Sequence, residues 1–203
     1  MDELGRAILD QGRAAEAETV FRRALDLAEA GGDTAVSRGI AMEMLGRAIR
    51  DQGRAAEAET VFRRALDLKD EGGATSVSRG ITMHELGRAI LDQGRAAEAE
   101  TVFRRALDLA EAGGDTAVSR GIAMDMLGRA LLDQGRAAEA EAVFRRALDL
   151  AEAGGDTAVS RGITMHELGR AIRDQGRAAE AEVVFGRARQ LMRGGGDVVA
   201  TGQ

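Results

Sequence analysis

Shifting the sequence against itself by 41 residues superimposes it on itself almost throughout, with Met1, Met42, Met83, Met124 and Met165 each opening a copy of one unit. The units span 1–41, 42–82, 83–123, 124–164 and 165–193, and the first and third differ only at Asp2 against His84. Self-similarity at this period marks a repeat array: one supersecondary unit cannot bury its apolar face alone and must stack on its neighbours. Residues 1–203 therefore form one repeat domain with no independent domains or linkers. Residues 194–203, opening on Gly194, Gly195 and Gly196, are expected to be a flexible tail.

Each unit reads as two helices. In the second, Asp33 or Thr34 offers an N-cap oxygen, and Val36, Ile40, Leu45, Ala48 and Ile49 recur at helical steps to form helix A. Helix A should stop near Gln52, because Gly53 can take the left-handed conformation. Helix B starts near Arg54, carries Ala58, Val61, Phe62, Ala65, Leu66 and Leu68 on one face, and ends at Gly72 and Gly73. On its outer side Glu59, Arg63 and Asp67 follow one another at four-residue steps, pairs worth about 0.2–0.5 kcal/mol each. Gly39 and Gly46 lie inside helix A, where each costs roughly 0.5–1 kcal/mol against Ala. That cost predicts a close approach by a neighbouring helix, with Ala58 or its equivalents as the contact. The absence of Pro and the abundance of Ala, Arg, Glu and Leu favour helix almost everywhere.

Leu45-Gly46, Ile49, Ala58, Phe62 and Ala65, recurring in every unit, resemble the tetratricopeptide signature of Leu-Gly, a large residue, Ala, an aromatic and Ala. The usual helix A aromatic is replaced by Ile and the proline after helix B is missing. The unit is also about seven residues longer than the family's usual one, resembling the long-repeat variant of kinesin light chains and bacterial arrays. The resemblance implies an all-α fold, a right-handed α-solenoid of antiparallel helix pairs. It also implies a non-catalytic scaffold that binds a peptide or protein segment in a concave groove lined by the A helices.

No constellation of reacting groups competes with that expectation. There is no cysteine, hence no disulfide, thiolate metal site or thiol nucleophile, and the cytoplasm is the expected compartment. No signal peptide or membrane-length apolar run is present, and a net charge of −6 argues against nucleic acid. His84 and His166 stand two units apart and read as exposed groove histidines rather than a metal pair. Ser37, Ser78, Ser119 and Ser160 have no base at a recurring spacing, and Gly31-Gly32-Asp33 lacks the strand and lysine of a phosphate loop. No metal, cofactor or catalytic residue is expected.

Differences between the copies give the binding face an address. They gather at Asp2, Glu43, His84, Asp125 and His166 and, seven residues on, at Leu9, Arg50, Leu91, Leu132 and Arg173, columns about 20° apart on a helix. Between them runs the unvarying Arg6, Arg47, Arg88, Arg129 and Arg170, flanked by Asp10, Asp51, Asp92, Asp133 and Asp174 and by the alternation Glu3, Met44, Glu85, Met126, Glu167. Glu16, Glu18 and Asp26, taken as exposed on helix B, hardly change. An arginine ladder of this kind favours a carboxylate-bearing partner. The alternative is a structural or self-assembling array, engineered origin included, associating through its end faces. The chain starts in mid-helix A, fitting either a fragment or an open end, whereas Arg189, in the column of Leu25, Leu66, Leu107 and Leu148, reads as partial capping.

Overall fold

Two glycine-bearing turns per repeat cut the chain into helices. The computed structural model describes residues 2–114, 116–155 and 157–197, with the side chains of 2, 117–119 and 194–197 left aside. Among the described residues there are ten helices and no strand: α1 (Asp2–Asp10), α2 (Ala14–Ala30), α3 (Ala35–Arg50), α4 (Ala55–Glu71), α5 (Ser76–Asp92), α6 (Ala96–Ala112), α7 (Ala117–Asp133), α8 (Ala137–Ala153), α9 (Ala158–Asp174) and α10 (Ala178–Asp197). Odd numbers are the A helices and even numbers the B helices. The fold is an all-α helical-repeat array of paired helices. Residues 1–109 and 110–203 form two compact units. In the first, α1 packs on α2, α2 on α3, α3 on α4 and α4 on α5; in the second, α7 packs on α8, α8 on α9 and α9 on α10.

The turns follow the sequence signals. Gly53 takes φ +79° just after α3 and donates its N–H to the Arg50 carbonyl at 2.7 Å, closing the helix in the left-handed conformation that a Cβ disfavours. Between the two N-cap candidates, the hydroxyl wins: Thr34 Oγ1 accepts the Ser37 N–H at 3.2 Å, and Thr75 and Thr157 repeat the bond. α2, α4 and α8 have no side-chain cap; Arg54 instead brackets the first turn of α4 by pairing with Glu57 at 2.5 Å.

The core lies between the helices of each pair. Ala58, Phe62 and Ala65 are fully buried, and Leu45 and Ile49 close over them from α3. Burying a Phe is worth about 1.5–3 kcal/mol, and the array repeats that contribution in every pair. The approach expected at the helix A glycines is present, with a different partner. A Cβ on Gly46 would lie 2.6 Å from Phe62 Cε1, so the aromatic ring, not Ala58, occupies the space. Gly39 faces the Lys69 side chain and the Ala65 carbonyl in the same way.

At the C-terminal end Arg189 is exposed, where the leucines of its column are buried or half-buried. α10 continues through Gly194, Gly195 and Gly196 to Asp197, so these glycines do not end the helix where the tail was expected to begin. Residues 198–203 of that expected tail lie outside the described residues.

Candidate functional site

The A-helix stripe divides into a buried half and a surface half. Glu43 is 4% exposed, and the column beside it contributes Glu85 and Glu167, also buried. A carboxylate taken out of water must be paired and hydrogen-bonded, and each of these is. Arg47 reaches Glu43 at 3.3 Å on its own helix and Glu85 on α5 at 3.2 Å. Arg50, whose side chain is almost buried, hydrogen-bonds Glu85 and Asp51, and Arg88 closes on Glu85 from the same helix at 3.6 Å. In the second unit Arg129 lies 3.4 Å from both Asp125 and Glu167, and Arg170 meets Glu167 at 2.8 Å.

These contacts correct the reading of the stripe as a free basic ladder. Arg47, Arg88, Arg129 and Arg170 are neutralised by carboxylates of their own or the next A helix, and the Glu–Met alternation decides which A helices are tied together by charge. Met44 is buried where Glu85 and Glu167 are, so these members of the alternation belong to the junction, whereas Glu3 is exposed. Leu132 is buried at the place of Arg50. Asp2 lies outside the residues whose side chains are described.

His84 is likewise no exposed groove residue. Its ring sits 5.9 Å from that of Phe103. Burial pushes the imidazole down to about 4, with Glu85 opposing the fall and Arg88, Arg47 and Arg50 adding to it. It is neutral at pH 7. His166 is exposed beside Phe185 at 5.0 Å.

What remains at the surface of the A helices is more acidic than the sequence implied. Arg6, Asp10, Asp51, Asp92, Asp133, His166, Arg173 and Asp174 are exposed, and Leu9 and Leu91 are half-buried between them. Arg88, Arg129 and Arg170 keep between 36% and 42% of their side chains accessible although anchored. Each anchored guanidinium therefore presents its remaining N–H donors in a fixed position.

Sequence reasoning missed the bond that joins consecutive repeats. Glu18, Glu59 and Glu141 are not outer-face residues; each is largely buried against the A–B turn of the next repeat. Gln93 Nε2 and Arg95 Nη1 donate to Glu59 Oε2 at 2.8 and 2.6 Å, while Arg63 holds Oε1 at 2.8 Å. Gln52 and Arg54 grip Glu18 in the same way, and Gln175 and Arg177 grip Glu141. Burial raises the Glu59 carboxyl, but hydrogen bonds from Gln93, Arg63 and Arg95 outweigh it and hold the group at about 2. Glu18 and Glu141 move in the same direction for the same reasons. The signal was present in the unvarying Gln-Gly-Arg of every A–B turn, which turn geometry alone does not require beyond its glycine.

Comparison with known proteins places this geometry. Tetratricopeptide repeat models match residues 1–71, 78–153 and 163–187. The fold is similar to that of a Podosopora anserina putative kinesin light chain with nearly identical TPR-like repeats: TM-score 0.79, 23% identity, covering 94% of this chain and 92% of that one. BtubC from P. vanneervenii gives a TM-score of 0.82 at 19% identity over 94% of this chain and 78% of its own. A Rap protein complexed with Competence and Sporulation Factor gives 0.80 at 16% identity, covering 95% of this chain and 53% of that one. No curated protein matches in sequence. With tetratricopeptide models covering most of its length and the helix pairs they describe repeated along it, the chain belongs to the tetratricopeptide repeat family.

Proposed function

We propose that the chain is a non-catalytic protein-interaction scaffold that receives a peptide or protein segment on the exposed faces of its A helices. One observation carries the reading: on a nearly invariant repeat scaffold, the A-helix face combines accessible, internally anchored guanidiniums with exposed aspartates. In the first unit these are Arg88 with Asp51 and Asp92. Anchoring lowers the entropy lost when such a group binds. The pairing of Arg with Asp suits a segment that offers both acceptors and donors, such as an extended backbone with mixed charge, and narrows the carboxylate preference read from the ladder. The Rap protein solved with Competence and Sporulation Factor gives a precedent on a similar fold.

The test is selection of peptides from a displayed random library on the immobilised chain, followed by fluorescence anisotropy with the recovered peptide. Combining Asp51→Ala, Arg88→Ala and Asp92→Ala should weaken binding by about tenfold or more, while Arg64→Ala with Asp67→Ala on the B-helix side should leave it unchanged. The opposite pattern would move the site off the A helices. Failure to recover any peptide, together with a mass that grows with concentration in light scattering, would replace the reading with self-association through the exposed Leu4 and Leu27.

A further inference from the structure

Repetition makes one junction a control for another. In the first unit the chain's one lysine is buried. The Lys69 side chain crosses Gly39, and its ammonium donates to Glu43 Oε2 at 2.6 Å, to Thr82 Oγ1 at 2.7 Å and to the Ser78 carbonyl at 3.0 Å. The Thr82 hydroxyl in turn donates to Glu43 at 2.6 Å. Every N–H of the ammonium has a partner, as a buried cation requires.

Two repeats on, the second unit rebuilds this enclosure without the lysine. Gly121, Ala147, Ser160 and Thr164 repeat Gly39, Ala65, Ser78 and Thr82, while Asp125 stands for Glu43 and Ala151 for Lys69. These residues line a cavity of about 80 Å³ between α7, α8 and α9. Asp125 is 8% exposed and hydrogen-bonded by Thr164, and its Oδ1 is buried with no hydrogen-bond partner among the described residues.

Charge points the same way. At the first junction Glu43 and Glu85 face Lys69, Arg47, Arg50 and Arg88. At the second, the cations that Asp125 and Glu167 face among the described residues are Arg129 and Arg170, with Ala151 and Leu132 in place of Lys69 and Arg50. The carboxylates are kept and two cations are gone. Burial accordingly pushes the Asp125 carboxyl up, with Arg129 and Thr164 opposing and Glu167 adding to the rise. The other columns do not combine these features. Ala28 meets Ala41 in place of the threonine, and Met192 fills the slot over Gly162, its Cγ 2.7 Å from where a Cβ would stand.

We propose that the cavity between α7, α8 and α9 binds a primary alkylammonium group, whose N–H donors go to Asp125 Oδ1, the Thr164 hydroxyl and the Ser160 carbonyl in the arrangement Lys69 makes internally. The group belongs either to a free short-chain amine or to a lysyl side chain of a bound segment. The site does not depend on the A-helix face described above.

The test titrates the full chain with methylammonium and n-butylammonium at constant ionic strength, following the NMR resonances of Asp125, Ala151 and Thr164. Tetramethylammonium, which has the charge without N–H donors, and n-butanol, which has neither, are the controls. The primary amines should saturate the site and bind about tenfold or more tightly than either control. Asp125→Asn should lose that margin, and Ala151→Lys should abolish binding by supplying the ammonium from within. Should Ala151→Lys fail to fold, Ala151→Met blocks the slot as Met192 does. Equal responses to methylammonium and tetramethylammonium, or a response that survives both Asp125→Asn and Ala151→Met, would overturn the site and leave a water-filled gap. A capped lysine peptide that binds more tightly than its norleucine analogue and than n-butylammonium assigns the source to a partner protein; no gain over n-butylammonium assigns it to a free amine.

Discussion

One substitution made at two places in α5 should change stability in opposite directions. Gly80 and Gly87 both lie inside the helix, so Ala at either position gains about 0.5–1 kcal/mol from reduced backbone freedom in the unfolded chain. At Gly80 the new Cβ would meet only the Ala106 carbonyl oxygen at 3.7 Å, an ordinary contact, and the gain should be realised in full. At Gly87 it would lie 2.5 Å from Phe103 Cε1 and 2.8 Å from Cδ1. Phe103 has no exposed surface and cannot swing away, so the ring or the α5 backbone must move by roughly an ångström, at the ~1–3 kcal/mol typical of overpacking. Subtracting the propensity gain leaves a net loss of up to about 2.5 kcal/mol at Gly87, against a gain of up to about 1 kcal/mol at Gly80. Urea denaturation followed by far-UV circular dichroism would compare the two midpoints within one helix. Gly87→Ala combined with Phe103→Leu should cost less than the sum of the single changes, because the smaller side chain admits the methyl. Two midpoints that rise together would refute the claim that the Phe ring is packed against the helix A backbone.

Two further outcomes concern ionisation. The Glu59 carboxyl is held at about 2, below its ordinary 4.5. Its contribution is therefore complete above pH 4.5 and is lost as the pH falls from there towards 2. Denaturant midpoints measured across that window should fall with acid, and Glu59→Gln should flatten the slope; equal slopes in the two proteins would remove the clasp from the account. His84, pushed down to about 4 by burial, disfavours protonation in the folded chain, so stability should also decline as the pH falls from 6.5 towards 4. A proton NMR titration of the His84 ring should give a midpoint near 4, and a midpoint near 6.5 would mean that the ring is in water.

The sequence by itself determined the repeat, the helix pair and its punctuation. Gly53, Thr34 and the Ala-Phe-Ala face of α4 act through their own backbone or their own helix, so a local pattern suffices to place them. The tertiary structure decided which charges are surface and which are structure. Helical periodicity places Glu43 and Arg47 on one side of α3 and Glu85 on α5, yet it does not say what covers either. Covering is set by residues one repeat away: Arg47 finds Glu85 on α5, and Glu59 is gripped by Gln93 and Arg95 beyond the next turn. Lys69 gives the sharpest case. In the sequence it is a stray difference between copies; in the fold it enters a slot made by three helices, and its replacement by Ala151 in a later copy leaves a carboxylate facing a cavity. Burial is a property of the packed set, and it turned columns of like residues into unlike environments.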